Sequence, residues 1–95
     1  MPNTFWSDFS IADAFGINAI KDTYKRAFAE WKSDYKMLTE LVMVLNHKMW
    51  QHYERTKDAD NAYVVAYAEC FEEADEYAMD NLTEDKLRYF LEVTD

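Results

Sequence analysis

Apolar residues recur at helical spacing along most of the chain. Ile20, Tyr24, Ala27, Phe28 and Trp31 fall on one face, while Lys21, Asp22, Lys25, Arg26, Glu30 and Lys32 fall largely on the other. That division is the mark of an amphipathic helix. The pattern runs on through Tyr35, Leu38, Val42, Leu45, Met49 and His52 in steps of four and three, a heptad-like series. Unbroken, residues 18–55 would form one helix of about 57 Å, an extended element that needs a partner chain. Ser33-Asp34 offers a cap for a new helix, and the sequence predicts a break there.

Residues 37–50 are apolar on more than one face, through Met37, Leu38, Leu41, Val42, Met43, Val44, Leu45, Met49 and Trp50. Such a helix is central to its fold or carries a second interface. Met37, Leu41, Val44 and Trp50 are the candidate residues of that interface. Residues 56–61, Thr-Lys-Asp-Ala-Asp-Asn, form the clearest loop. A helix then runs to about Asn81, with Ala62, Tyr63, Ala66, Tyr67, Cys70, Ala74, Tyr77 and Ala78 inward. Its alanines allow close approach of another helix. Thr83 is placed to cap a last short helix, with Glu84 and Asp85 near its positive end and Leu87, Phe90 and Leu91 as anchors. Toward the N-terminus, Phe5, Trp6 and Phe9 read as an irregular aromatic arm over residues 1–9. Ser10 is positioned to cap a short helix with Asp13 three residues on. Gly16 ends it, and Asn18 opens the next.

Only one Gly and one Pro occur in 95 residues, too few turn formers for tight hairpins. The length fits one domain over residues 1–95, and a 17% aromatic content supplies large side chains for its core. The expected fold is all-α: a small bundle of about four to five helices with a long, apolar central helix. A lone Cys70 allows no intrachain disulfide. The first eight residues lack the basic and apolar segments of a signal peptide, and no run reaches the roughly 18 apolar residues of a membrane span. These features predict a cytoplasmic protein.

The charge is unevenly placed. Residues 1–53 hold six acids and six bases, whereas residues 54–95 hold thirteen acids and four bases, and so carry the whole net charge of -9. This balance opposes binding to free nucleic acid or to anionic membranes. Glu69, Glu73, Glu76 and Asp80 step by four, three and four, with Glu72 at the edge of the same arc. On a helix they form one carboxylate stripe. Four residues rise about 6 Å, comparable to phosphate spacing along a nucleic-acid strand. Like charges at these spacings weaken an isolated helix by a few tenths of a kcal/mol per pair. The stripe is a solvated face, a surface that imitates a phosphate backbone and docks on a basic protein, or an acidic metal patch.

Catalytic and metal chemistry find little support. His47 and His52 are five residues apart, wrong for two ligands on one helical face. The positions three before them are Val44 and Met49, not the glutamates of a Glu-x-x-His pair. His52 lies on the heptad face, as a packed or hydrogen-bonded core histidine. Cys70 stands among carboxylates, which raise a thiol pKa and lower its reactivity. There is no Gly-rich phosphate loop, and no cofactor is expected.

Ile11-Ala12-Asp13-Ala14-Phe15-Gly16-Ile17 followed by a helix resembles the start of a bacterial helix-turn-helix, with Lys25-Arg26 available for phosphates. The likeness covers about twenty residues and lapses where the family has an apolar residue six after the Gly, because Asp22 stands there. More of the chain is similar to a small family of acidic proteins carried on conjugative elements and phages of gut Firmicutes. Trp-Ser-Asp-Phe, Lys-Asp-Thr-Tyr-Lys-Arg-Ala-Phe, Leu-Val-Met-Val-Leu-Asn-His-Lys and the final Tyr-Phe-Leu-Glu-Val-Thr-Asp carry that likeness. No activity is attached to that family, so no residue role transfers from it. It implies an accessory role on a mobile element, where small acidic inhibitors of host nucleases are common. The expectation is a protein without enzymatic activity that occupies a basic, nucleic-acid-binding groove on a protein partner. The alternatives are a self-associating scaffold, homodimeric through residues 37–50, and a DNA-binding regulator built on residues 10–28.

Overall fold

A computed structural model describes residues 4–94. Five helices follow one another: α1 (Thr4–Phe15), α2 (Ile17–Trp31), α3 (Tyr35–Thr56), α4 (Ala62–Asn81) and α5 (Glu84–Thr94). No strand occurs among the described residues. The molecule measures 38 × 23 × 23 Å, so a 57 Å helix would project well beyond it. The chain does break at Ser33-Asp34. The Asp34 carboxylate accepts from the backbone N–H groups of Lys36 and Met37 at 3.1 and 3.2 Å, satisfying donors that the first turn of α3 leaves free.

The α3 helix packs against all four others, which accounts for its apolar residues on most faces. Leu38, Leu41, Val42, Val44 and Leu45 are all fully buried. Leu41 and Val44 therefore belong to the core, not to an exposed interface. The loop after α3 ends at Asn61, whose side-chain oxygen accepts from the N–H of Tyr63 at 2.9 Å and caps α4. Along α4, Ala66, Tyr67, Cys70, Ala74 and Ala78 are buried as the alanine pattern suggests. Val64 joins them, while Ala62 lies exposed.

The N-terminal segment departs from the expected arm. From Thr4 onward it is helical, and Phe5, Phe9 and Ala12 recur at helical spacing and are buried. Residues 1–3 of that arm lie outside the described residues. Ser10 sits exposed in mid-helix and caps nothing. A single residue, Gly16, joins α1 to α2 at φ 115° and ψ -173°. This conformation is strained for any L side chain. The helix α2 starts at Ile17 without a side-chain cap, so Asn18 is already inside it. At the other end of the chain, Thr83 contributes its carbonyl, which accepts from Lys86 and Leu87. In α5, Phe90 is buried and Leu91 is largely exposed.

Candidate functional site

All five residues of the stripe, Glu69, Glu72, Glu73, Glu76 and Asp80, are solvent-exposed on α4. The helix also carries Asp75 and has no Lys or Arg. Among the described residues, none of its six carboxylates forms an ion pair. Glu73 has one polar partner on another helix, the Tyr24 hydroxyl of α2, which donates to it at 2.8 Å. Burial, and then this carboxylate, push the Tyr24 pKa well above the usual phenol range. Beside the stripe, burial raises the Cys70 thiol to about 11, helped by the charges of Glu73 and Glu69. A buried, protonated thiol is a poor nucleophile. Asp75 is partly buried, and desolvation raises its pKa.

A second polar group lies inside the bundle, and the sequence does not announce it. Asp13 on α1 faces α3 and α4. Lys48 Nζ lies 2.6 Å from its Oδ2, and the Tyr67 hydroxyl donates to its Oδ1. His52 Nε2 lies 3.3 Å from the same Oδ1. The guanidinium of Arg55 donates to His52 Nδ1 at 2.6 Å. Nδ1 is thus an acceptor, so Nε2 holds the proton and donates to Asp13. The His52 ring stacks on Tyr63 and Tyr67 at centroid distances of 5.0 and 5.5 Å. Burial by itself would raise the Asp13 pKa. The hydrogen bonds from Lys48, Tyr67 and His52, with the Lys48 charge, outweigh it and hold the carboxyl below its ordinary value.

Both imidazole nitrogens of His52 are engaged within the protein, Nε2 with Asp13 and Nδ1 with Arg55. The group fastens α1 to α3 and α4. Sequence spacing suited Asp13 to a capping box, and its partners, 35 to 54 residues away, leave no local signal. No buried side-chain nitrogen or oxygen among the described residues is left without a partner.

The remaining candidates are scattered. Met37 is half-buried against the core, and Trp50 is 51% exposed, packing edge-on against Tyr53. With Leu41 and Val44 inside, these four residues do not form a common surface. Nor do α1 and α2 reproduce the packing of a helix-turn-helix. Asp22 is exposed, Ile20 and Tyr24 are buried, and one residue forms the turn. Among the described residues, no three His, Cys, Asp or Glu side chains gather as a group able to hold a metal ion. No described helix is long and apolar enough to cross a membrane. No family model, curated protein or solved structure matches the chain.

Proposed function

We propose that the chain is a non-enzymatic acidic interaction protein whose α4 stripe occupies a basic, nucleic-acid-binding groove on another protein, in the manner of a mobile-element inhibitor. One observation carries this reading: the five carboxylates of the α4 stripe are exposed, and none has a cationic partner within ion-pair distance among the described residues. A solvated face usually mixes signs, as the outer face of α2 does. Glu69, Glu73, Glu76 and Asp80 span roughly 16 Å of helix. With Glu72 they present a line of negative charge somewhat sparser than the one phosphate per ~3.4 Å of a DNA strand. Uncompensated charge of this kind steers a basic partner and sets its rate of approach.

The test is the quadruple variant Glu69→Gln, Glu73→Gln, Glu76→Gln, Asp80→Gln. It keeps side-chain length at the three glutamates, adds one methylene at position 80, and keeps most of the helix propensity. Immobilised parent protein should retain DNA-binding proteins of a host extract at about 0.1 M salt. It should release them at about 1 M, where the Debye length falls to roughly 3 Å, and added DNA should compete. The variant should retain little. Equal retention by parent and variant would leave the stripe a solvated face.

A further inference from the structure

The helices α1 and α2 meet at Gly16, and residues of both line an open groove of about 810 Å³. Its floor is apolar and small, with Ala12, Ala19 and Ala27 between Phe5 and Trp31. On its α1 wall stand Ile11 and Phe15, spaced i,i+4, which at 60% and 80% exposure are the most exposed large apolar side chains among the described residues. Small residues on the floor admit a helix closely, and an i,i+4 apolar pair is how a helix enters such a groove. One strip of α1 therefore offers both an open cleft and side chains suited to filling one.

The charges around the groove indicate what fills it. Asp8, Asp22 and Glu30 alternate there with Lys25 and Arg26. A partner of one sign would meet repulsion as well as attraction along this rim. A partner with the same mixed rim, inverted by a twofold axis, can set acid against base on both sides. Residues 4–32 hold four acids and four bases, whereas the C-terminal half of each chain is strongly negative. Two copies can thus approach through this face without opposing their net charges.

The helix α2 also keeps the acidic stripe away. Tyr24 and Phe28 reach Glu73 and Tyr77 of α4, while Ala19, Thr23, Arg26 and Glu30 line the groove. At about 100° per residue these sets lie on nearly opposite faces of α2.

We infer that the α1–α2 groove is a homodimer interface, in which Ile11 and Phe15 of each copy enter the groove of the other around a twofold axis. Such an isologous contact uses one patch twice and closes on itself. It stands independently of the function proposed for α4.

Sedimentation of the full chain over low to high micromolar concentration tests it. The parent should dimerise, and the dimer should survive about 1 M salt because its centre is apolar. Phe15→Glu and, separately, Ile11→Glu should weaken dimerisation at least about tenfold. Both positions are exposed, so circular dichroism should confirm an unchanged helical fold in at least one of the two. The pair Lys25→Glu, Arg26→Glu should also weaken the dimer, and adding Asp22→Lys and Glu30→Lys should restore it. A parent that remains monomeric throughout, or folded Phe15→Glu and Ile11→Glu variants that dimerise as tightly as the parent, would overturn the proposal.

Discussion

Replacing Asp13 by Ala should be among the most damaging single changes in this chain. The substitution removes an acceptor shared by Lys48, Tyr67 and His52. The side chain of Lys48 is only 7% exposed and that of Asp13 19%, so the orphaned ammonium would remain in a nearly closed site. Breaking a buried ion pair from one side typically costs 3–5 kcal/mol, mostly from the charge left behind. The partial exposure of Asp13 places the expected loss near the lower end, at about 3 kcal/mol. For a domain of this size that lowers Tm by roughly 12–24 °C and removes a large part of a typical stability of about 5–15 kcal/mol.

The informative control is Asp13→Ala combined with Lys48→Met, which removes the stranded charge and keeps most of the side-chain volume. The double variant should lie within about 1 kcal/mol of the parent, because an apolar pair often replaces a buried ion pair with little loss. Urea unfolding followed by far-ultraviolet circular dichroism gives all three stabilities. If Asp13→Ala stays within about 0.5 kcal/mol of the parent, or if the double variant is no more stable than the single one, the polar group is not what fastens α1.

Acid should loosen the same fastening. The folded Asp13 pKa lies below its ordinary 3.8, so its contribution is complete above that value and is lost as pH falls through the depressed folded pKa. Stability of Asp13→Asn, measured by urea unfolding across that range, should fall less steeply with acid than the parent's. Cys70, with its thiol near 11, should be only about one part in a thousand ionised at pH 8; a thiol reagent should therefore label the native protein slowly and the urea-unfolded protein quickly, and rapid native labelling would contradict its burial. Asp34→Ala removes the cap accepted by Lys36 and Met37 and should cost about 1 kcal/mol in the same unfolding assay, with no measurable loss counting against the break between α2 and α3 as a capped one.

What was legible in the sequence is what short-range spacing can specify. The helical period, the loop before α4 and the Asp-capped start of α3 each rest on residues within a turn or two of one another. His52 lies inward, as its place in the heptad-like series implies. The misreadings have physical causes. Three aromatics in the first nine residues resemble a docking arm, yet Phe5, Phe9 and Ala12 already follow a helical period. Ser10 has the chemistry of a cap, but helix formation upstream leaves it no free backbone N–H to accept from. Surplus apolar faces on residues 37–50 suggest an outside partner. The other four helices cover most of those faces, so Leu41 and Val44 have nothing left to offer one, and Trp50 stays half exposed. Asp13 could not be placed from sequence because each of its partners lies on a distant helix. The apolar pair Ile11 and Phe15 was visible, but its exposure depends on where α2 leads.

Gly16 settles that direction, and it does so through handedness alone. A side-chain carbon built on it would meet nothing within 4 Å, yet its φ of 115° is one that L residues rarely adopt. Bulk is therefore tolerated at the corner between α1 and α2, while chirality is not. A D-alanine introduced there by chemical synthesis would occupy the mirror image of ordinary extended backbone. It should stiffen the corner, whereas L-alanine should spring it open. The angle between the two helices, and with it the width of the groove, thus hangs on the one residue in the chain that has no hand of its own.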